Sequence, residues 1–201
     1  MTDWLAQGPE PGPDGRARCP WGEGPEEYRA YHDAEWGRPL RGDDALFERL
    51  TLEAFQSGLS WLTILRKRPA FRAAFAGFSI PSVAAFDADD RARLLADAGI
   101  VRNRAKVDAA IANAQAALRL LDVEGEGALD RLLWSYAPDP GPPPRVMGDL
   151  PAKTPESAAL AQALKRSGFV FVGPTTMYAL QQAVGMVDDH LAGCWRRGQA
   201  G

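Results

Sequence analysis

The residue types best suited to binding a transition metal are scarce in this chain and lie near its two ends. Among 201 residues there are two cysteines and two histidines. Cys19 and His32 are thirteen positions apart, whereas His190 and Cys194 are four apart and would share one face if their segment were helical. Two thiolates and two imidazoles complete a closed tetrahedral zinc shell. The alternative is a surface histidine and a buried free cysteine, because the first spacing is not that of a zinc finger.

Aromatic side chains concentrate around Glu53, the lone acidic residue of the apolar stretch TLEAFQSGLSW. A carboxylate held among aromatic rings can select a flat, cationic ligand, because the rings stack on its faces while the anion meets its edge. The alternative is a solvent-facing glutamate beside ordinary core aromatics. The aromatic residues of this region are Trp21, Tyr28, Tyr31, Trp36 and Trp61.

A glycine-bearing turn separates the last two predicted helices. In KRSGFVFVGPTT, residues 165–176, Gly168 and Gly173 bracket the turn, and Thr175 and Thr176 lie in the first turn of the following helix. Free backbone N–H groups at a helix N-terminus suit a phosphate oxygen. The shape is that of a helix-hairpin-helix motif, and Lys165 favours phosphate binding over the alternative of a hairpin without a ligand.

The elements that must position these residues are predicted to be helices, so the fold class is all-α. Apolar residues recur at helical spacing, and neither an internal repeat nor a sustained strand-like alternation is found. The Pro-rich stretch 138–146 is expected to be a surface connection. The predicted helices are one after an Asp43 or Asp44 cap, one with Pro69 in its first turn, one ended by Gly99, one over 103–121, one after a Thr154 cap, and one from Pro174 to about Gly185.

Length and composition indicate one soluble domain. The 201 residues carry 23 basic and 26 acidic side chains, a balance that argues mildly against a nucleic-acid binder. No apolar run is long enough for a membrane span, and no secretory signal or disulfide framework is evident, so we expect a cytoplasmic protein. Residues 1–17 are predicted to be a disordered extension and residues 18–201 a single domain. Basic clusters occur at 66–68, 102–106, 165–166 and 196–197 and are each interpreted as solvated surface.

From about Arg18 to Cys194 the chain resembles the bacterial 3-methyladenine DNA glycosylase I family, within the helix-hairpin-helix glycosylase superfamily. So many ordered matches are far more specific than any single motif. The matching segments are RCPW, YHDAEWGRP, LFERLTLEAFQSGLSW, DAGIVRNRAKV, NAQA, LW, GFVFVGPTTMY and VDDHLAGC.

The resemblance implies roles for particular residues. A structural zinc ion would be held by Cys19, His32, His190 and Cys194. Glu53 would be the pocket carboxylate that contacts the excised base, and Leu59 is, as a hypothesis, the wedge that fills the gap left by the extruded nucleotide. The implied pocket aromatics are Trp21, Tyr28, Tyr31 and Trp61, and the implied DNA-binding hairpin is 168–176, within a helix-hairpin-helix unit of about 155–185.

The chain departs from the family pattern at three positions. Asp188 stands where the family commonly has Asn, so it could either stabilise an oxocarbenium-like sugar or cap a helix, and we favour the cap. Gln181 replaces a usual Met, and Phe55 stands where Gln is frequent. Both departures leave the range of adducts open.

The resemblance therefore predicts a monofunctional hydrolase that flips an alkylated purine, chiefly 3-methyladenine, out of double-stranded DNA and leaves an abasic site. It is expected to act as a monomer on bacterial DNA. Two alternatives remain at this point. One is a glycosylase of the same fold for a different or bulkier adduct, and the other is a catalytically inactive helix-hairpin-helix DNA-binding module.

Overall fold

Helices dominate the architecture, as the sequence predicts. The computed structural model describes residues 3–199, and within them the helical elements are accompanied by a single antiparallel pair of two-residue strands near the N-terminus and by a long connection, residues 135–154, between α7 and α8. The α-helices are α1 (Glu26–Ala34), α2 (Asp43–Gln56), α3 (Trp61–Ala74), α4 (Ile80–Ala84), α5 (Ala88–Ala96), α6 (Arg104–Glu124), α7 (Ala128–Trp134), α8 (Pro155–Arg166) and α9 (Pro174–Ala183). The strands are β1 (Glu10–Pro11) and β2 (Ala17–Arg18), and the 3₁₀ helices are Trp4–Ala6, Pro20–Glu23, Ala76–Phe78 and Met147–Asp149.

Helix α2 lies at the centre of the fold. It packs against α3, α6, α7 and α9, and every residue from Arg49 to Phe55 is buried. A helix surrounded on all sides is usually apolar all round. The polar residues that α2 buries, Arg49 and Glu53 among them, are therefore exceptions that call for a partner or a function.

Capping residues set the start of several helices. The Asn103 side chain accepts a hydrogen bond from the Lys106 amide at the start of α6, and Thr154 caps α8 ahead of Pro155 as predicted. Contrary to the expectation from the sequence, neither Asp43 nor Asp44 caps α2, which starts after Gly42 without a side-chain cap. The Asp44 carboxylate accepts from the Ile80 amide at the start of α4, and Asp43 also acts on another helix. The Asp43 carboxylate accepts from the backbone amides of Gly127 and Asp130 at the start of α7.

The prediction that Pro69 lies in a first turn is wrong. Helix α3 begins eight residues earlier, at Trp61, because the Ser60 side chain accepts a hydrogen bond from the Thr63 amide and starts the helix there. Pro69 lies inside α3, and its position on the outer side of the helix limits the packing cost of the interrupted hydrogen bond.

The N-terminal segment has structure where the sequence predicts disorder. Residues 3–17 form the 3₁₀ helix Trp4–Ala6 and the β1–β2 pair. The Met147 amide donates to the Gln7 carbonyl at 3.0 Å, and the Trp195 amide donates to the Ala17 carbonyl at 2.8 Å, so backbone pairing ties this segment to later parts of the chain. Met1 and Thr2 of the predicted extension, and residues 200–201 of the predicted domain, lie outside the described residues.

None of the helices described between residues 3 and 199 combines the length and apolarity that a membrane crossing requires.

Candidate active site and metal centre

A cavity of about 290 Å³ opens between the helices that carry the aromatic residues noted in the sequence. It is walled mainly by aromatic rings, and Glu53 supplies its single ionisable carboxylate. Side chains from α1, α2, α3 and α9 and from the connection before α8 meet there. The lining residues are Trp21, Tyr28, Tyr31, Trp36, Glu53, Gln56, Trp61, Met147, Leu150, Ala179 and Gln182.

Glu53 is held in this cavity in an unusual electrostatic state. The residue is only 5% exposed, and burial raises the pKa of its carboxyl group to about 7, although the positive charge of Arg49 opposes the rise. Within the described residues no group donates a hydrogen bond to this carboxylate. A buried acceptor without a donor is costly, and such groups concentrate at functional sites.

Arg49 lies one helical turn before Glu53 and joins the cavity wall to a charge network. Its Nη1 donates to the Tyr31 hydroxyl at 2.6 Å, and its Nη2 lies 3.3 Å from a Glu35 carboxylate oxygen. Arg68 donates twice to the same Glu35 carboxylate, at 2.6 Å each. Burial raises the pKa of Tyr31, so this phenol stays neutral and its ring orientation is fixed by the Arg49 hydrogen bond.

The aromatic rings form one continuous wall. Tyr31 and Trp61 have ring centroids 5.4 Å apart and are tilted by 50°, and Trp21 lies 6.2 Å from Tyr31. A flat ligand between two parallel rings needs about 7 Å, twice the contact distance of carbon atoms. The pair Tyr31–Trp61 is therefore a surface on which a ring can stack, rather than a slot that it can enter.

Two further polar groups complete the wall. The Tyr28 hydroxyl accepts from the Leu62 amide at 3.0 Å, so this ring is anchored to the start of α3. The Trp61 indole nitrogen is buried and has no hydrogen-bond partner among the described residues. Tyr28 and Trp61 therefore contribute mainly ring surface to the cavity, and Glu53 supplies its carboxylate.

Several residues that line the cavity have no role predicted from the sequence. Gln56 lies three positions after Glu53, so helical periodicity could have placed it on the same face. Gln182 is held by a hydrogen bond from its Nε2 to Asp189 at 2.8 Å, and no sequence signal marks it. The other unassigned lining residues are Trp36, Met147, Leu150 and Ala179.

The structure brings three of the four predicted metal ligands together. The ligand atoms of Cys19, His32 and Cys194 all lie within 4.8 Å of one another and are buried. The Cys19 thiol lowers the pKa of the Cys194 thiol by hydrogen bonding to its sulfur, with His32 adding to the effect, so a thiolate is favoured. His190 lies outside this group of three, although its ring centroid is 5.1 Å from that of His32.

The two histidines are oriented alike by neighbouring carboxylates. Asp33 lies 2.9 Å from Nδ1 of His32, and Asp188 lies 2.9 Å from Nδ1 of His190. This leaves Nε2 of each ring for another partner, and Nε2 of His190 is buried with none among the described residues. Carboxylate–histidine pairs of this kind orient metal ligands. The donor set and its support therefore fit a zinc ion.

The segment that carries His190 and Cys194 is not helical, so these two residues are not brought to one face by helical spacing as the sequence suggested. Residues 187–199 consist of turns and irregular backbone. The Ala192 amide donates to the Pro144 carbonyl and the Trp195 amide to the Ala17 carbonyl, so these backbone groups pair with distant segments instead of within a helix.

The glycine-bearing turn joins α8 and α9 as the sequence predicts. Gly168 has φ = +90°, a conformation that favours glycine, and Gly173 is the N-cap of α9. No side chain caps α9, so the Thr175 and Thr176 amides in its first turn are available to an external acceptor. Lys165 is exposed one turn before the hairpin.

Comparison with known proteins decides the family. The sequence model of the methyladenine glycosylase family matches residues 21–197. DNA-3-methyladenine glycosylase 1 of Escherichia coli (strain K12) is 43% identical over 182 residues, which cover 88% of this chain and 95% of that protein. The chain belongs to the methyladenine glycosylase family. The resemblance inferred from the sequence is thus confirmed.

Other members and their structures agree with this assignment. DNA-3-methyladenine glycosylase of Haemophilus influenzae is 43% identical over 180 residues, covering 88% of this chain and 96% of that protein. A crystal structure of 3-methyladenine DNA glycosylase I superposes with a TM-score of 0.84 at 43% identity, over 90% of this chain and 99% of the other. The Staphylococcus aureus enzyme, described with the structural basis of its 3-methyladenine recognition, gives 0.84 at 35% identity, covering 90% and 96%.

In this methyladenine glycosylase family member, Asp188 lies away from the cavity and supports a turn. It accepts hydrogen bonds from the His190 and Gly198 amides, at 3.2 and 2.9 Å. Burial alone would raise the pKa of Asp188, but the hydrogen bonds with the His190 ring and the Gly198 amide, together with the charge of Arg197, lower it to about 2. This arrangement favours the capping interpretation, with a turn in place of a helix.

The two other departures from the family pattern lie in the protein interior. Phe55 is fully buried and packs against Phe71 and Phe75, and it does not line the cavity. Gln181 is also buried, and its Nε2 donates to the Tyr136 carbonyl at 2.8 Å. Neither side chain touches the space that a ligand would fill.

Proposed function

We propose that the chain is a DNA glycosylase of base-excision repair that removes 3-methyladenine from double-stranded DNA. Family membership supports this, together with relatives whose names give the same activity. The observation that carries the proposal is the unpaired Glu53 carboxylate, buried in an aromatic cavity of about 290 Å³.

Recognition would depend on the charge and edge of the base. A purine alkylated at N3 is cationic, so it gains both from stacking on the Tyr31–Trp61 surface and from the nearby Glu53 anion. Glu53 would accept a hydrogen bond from the base edge. Normal adenine is neutral and gains less from the same cavity, which provides selectivity.

Breaking the glycosidic bond requires less catalytic assistance from the protein than recognising the damaged base does. The cationic base is already a good leaving group, and extruding a damaged nucleotide from the helix costs only a few kcal/mol. Water then attacks the sugar carbon, the bonding electron pair of the glycosidic bond leaves with the base, and an abasic site remains. No lysine is found among the described residues that line the cavity, which supports hydrolysis without a Schiff base or strand cleavage.

The four predicted ligands would hold one structural zinc ion. Cys19, His32, His190 and Cys194 offer the closed donor set of a structural site, and Asp33 and Asp188 orient the histidines. A zinc ion bound there would cross-link the two ends of the chain. Its role would be stability rather than catalysis, because four protein ligands leave no open position.

DNA would be held by the hairpin and by Leu59. The uncapped α9 N-terminus offers backbone donors to a phosphate, and Gly168, Gly173 and Lys165 frame it. Leu59 is 41% exposed in the turn between α2 and α3, where a wedge would stand beside the cavity. A monomer acting on bacterial DNA in the cytoplasm is the state that this proposal implies.

The test is base release from DNA treated with a methylating agent, resolved by chromatography. We expect 3-methyladenine to be released, undamaged adenine to be retained, and the strands to stay intact until the abasic sites are cleaved by alkali. Release of 7-methylguanine or a bulkier adduct instead would redirect the proposal to another substrate. DNA binding without any base release would indicate an inactive binding module.

A further inference from the structure

Two loops that adjoin cavity-lining elements along the chain present exposed apolar side chains. The first loop, residues 57–60, lies between α2 and α3 and carries Leu59, which is 41% exposed. The second loop, residues 167–173, joins α8 to α9 and carries Val170 and Phe171, each 43% exposed. Each loop is continuous with elements that line the cavity, because Gln56 and Trp61 flank the first and α9 follows the second.

Lys106 of α6 fixes the first loop. This lysine is buried, and its ammonium group donates to the carbonyls of Phe55 at 2.9 Å and Ser57 at 2.5 Å. These carbonyls are at the C-terminus of α2, where the helix leaves acceptors unpaired and a cation is favourable. The sequence interpretation of Lys106 as solvated surface is therefore wrong.

Asn113 of α6 fixes the second loop in the same way. It is 1% exposed, its Nδ2 donates to the Val170 carbonyl at 3.0 Å, and its Oδ1 accepts from the Val170 amide at 2.8 Å. Both backbone groups of the hairpin tip are thus paired with one side chain. The next residue, Phe171, has φ = +57°, so the tip is held in a conformation that a phenylalanine rarely adopts.

The two anchors lie on one face of one helix. Positions 106 and 113 are seven residues apart, which is two helical turns and about 10 Å along the axis of α6. Both loops are therefore anchored to the same 21-residue helix.

Basic side chains flank both anchored loops and have no acidic partner. Five of them are exposed, and none makes an ion pair or side-chain hydrogen bond with another residue of the described range 3–199. By contrast, Arg66 is paired with Glu27 at 2.7 Å. The unpaired basic residues are Arg102 and Arg104 before the first anchor, and Arg119, Lys165 and Arg166 around the second.

The proposed function places the 57–60 and 167–173 loops against double-stranded DNA, and we propose that Lys106 and Asn113 are positioning residues that anchor both loops to α6. The proposal rests on the glycosylase function above. The flanking arginines and lysines would contact phosphates, while Leu59 and Phe171 would meet the base stack. Neither positioning residue lines the cavity, so each would act on DNA binding and leave base recognition unchanged.

The anchors are tested in the full-length protein with Lys106→Met and Asn113→Leu, which keep bulk and remove the hydrogen bonds. Matched controls are Arg131→Met, a cation that donates to carbonyls at the far end of α6, and the exposed Gln115→Leu. We expect KM for methylated duplex to rise about tenfold in each anchor variant, with kcat and the affinity for free 3-methyladenine unchanged. An unaltered KM in folded variants that still bind the free base would overturn the positioning role.

The surface is tested separately, by substitutions that leave the core untouched. Arg104→Ala and Arg166→Ala should each reduce the slope of log Kd against log salt concentration by about one, whereas the ion-paired control Arg66→Ala should not. An unchanged slope in both variants would place the DNA elsewhere. These binding measurements need no catalysis, so a wild-type protein that binds duplex but releases no base would count against the proposed function and not against the surface.

Discussion

At the scale of single residues, the fold stabilises the ionised form of Glu53 poorly. The proposed function nevertheless depends on that carboxylate. It is buried without a hydrogen-bond donor among the described residues, and burial raises the pKa of its carboxyl group to about 7. Ionising it inside the protein therefore costs free energy. Arg49 reduces that cost by its charge and also fixes Tyr31, so one arginine tunes the anion and positions the ring.

Replacing Glu53 by Gln should stabilise the protein at alkaline pH. The folded-state pKa is above the unfolded value of 4.5, so the folded state binds more protons between pH 4.5 and about 7, and stability falls as pH rises through that window. The difference corresponds to about 3 kcal/mol at pH 8. Urea unfolding of both proteins at pH 4.5 and pH 8 measures it. Equal stabilities at pH 8 would show that Glu53 is not desolvated.

Asp188→Asn should preserve base excision and weaken zinc binding. The carboxylate contacts His190 and a turn, so we expect the excision rate of zinc-loaded protein to stay within about twofold, while metal affinity falls by about 10- to 100-fold. Asp33→Asn is the matched control, because Asp33 makes the equivalent contact to His32. A large loss of excision in the first variant alone would restore Asp188 as a catalytic candidate.

At this scale, a site residue could be predicted from the sequence where its neighbours along the chain make it stand out. Glu53 stands out because an acidic residue interrupts an apolar stretch, and resemblance to the family names the rings around it. Gln182 and Met147 were missed, because they reach the cavity only after α9 and the connection before α8 fold against α2. The spacing of residues along the chain does not reveal that these segments pack together.

At the scale of elements, the end of α9 packs closely on the loop that follows α1. Gly185 has φ = +73°, and a Cβ atom there would lie 2.5 Å from the Arg38 carbonyl carbon and 2.6 Å from the Pro39 nitrogen. The Leu40 amide donates to the Val184 carbonyl at 3.1 Å across the same junction. This contact fixes α9 relative to the segment that carries Tyr31 and Trp36.

Gly185→Ala should therefore destabilise the protein more than a glycine substitution in open space. Gly77, between α3 and α4, is the control, since it is in the left-handed conformation with φ = +65° and ψ = +16°, but a Cβ atom there would have no described neighbour within 4 Å. The left-handed conformation costs about 1–2 kcal/mol at both sites, and the backbone clash adds about 1–3 kcal/mol at Gly185. Denaturant unfolding compares them, and equal losses would mean that the junction relaxes freely.

The elements could be predicted where the local signal is clear, as at the Thr154 cap of α8 and the apolar periodicity of α6. They were mispredicted where a tertiary contact or an earlier cap decides. Asp43 caps α7 instead of its own helix, and Ser60 starts α3 ahead of Pro69. Residues 3–17 lack a periodic apolar pattern, and their pairing partners Met147 and Trp195 lie more than a hundred residues away.

At the scale of the whole molecule, the proposed zinc site joins the two ends of the chain. Cys19 and His32 come from the first 32 residues and Cys194 from the last eight, and the structure gathers their ligand atoms within 4.8 Å. A cross-link between such distant positions restricts the unfolded chain strongly. The sequence could pair these residues only through the family resemblance, because a loop closed between Cys19 and Cys194 leaves no local pattern.

The protein as purified should contain one zinc ion per chain, measured by atomic absorption. Cys194→Ser should remove the metal and lower the melting temperature, because the remaining donors do not complete the shell and metal binding contributes directly to folding. Strong chelators should have the same effect on the wild type and none on the variant. A metal-free wild-type protein with an unchanged melting temperature would exclude the structural zinc.

The central claim is that Glu53 in its aromatic cavity selects the alkylated purine, and single-turnover excision from methylated duplex by wild-type protein and Glu53→Gln tests it most directly. Both proteins should bind the duplex with similar affinity. The variant should release 3-methyladenine about 10- to 100-fold more slowly at pH 8, because it loses a charged hydrogen bond to the base. Release at the wild-type rate would contradict the account.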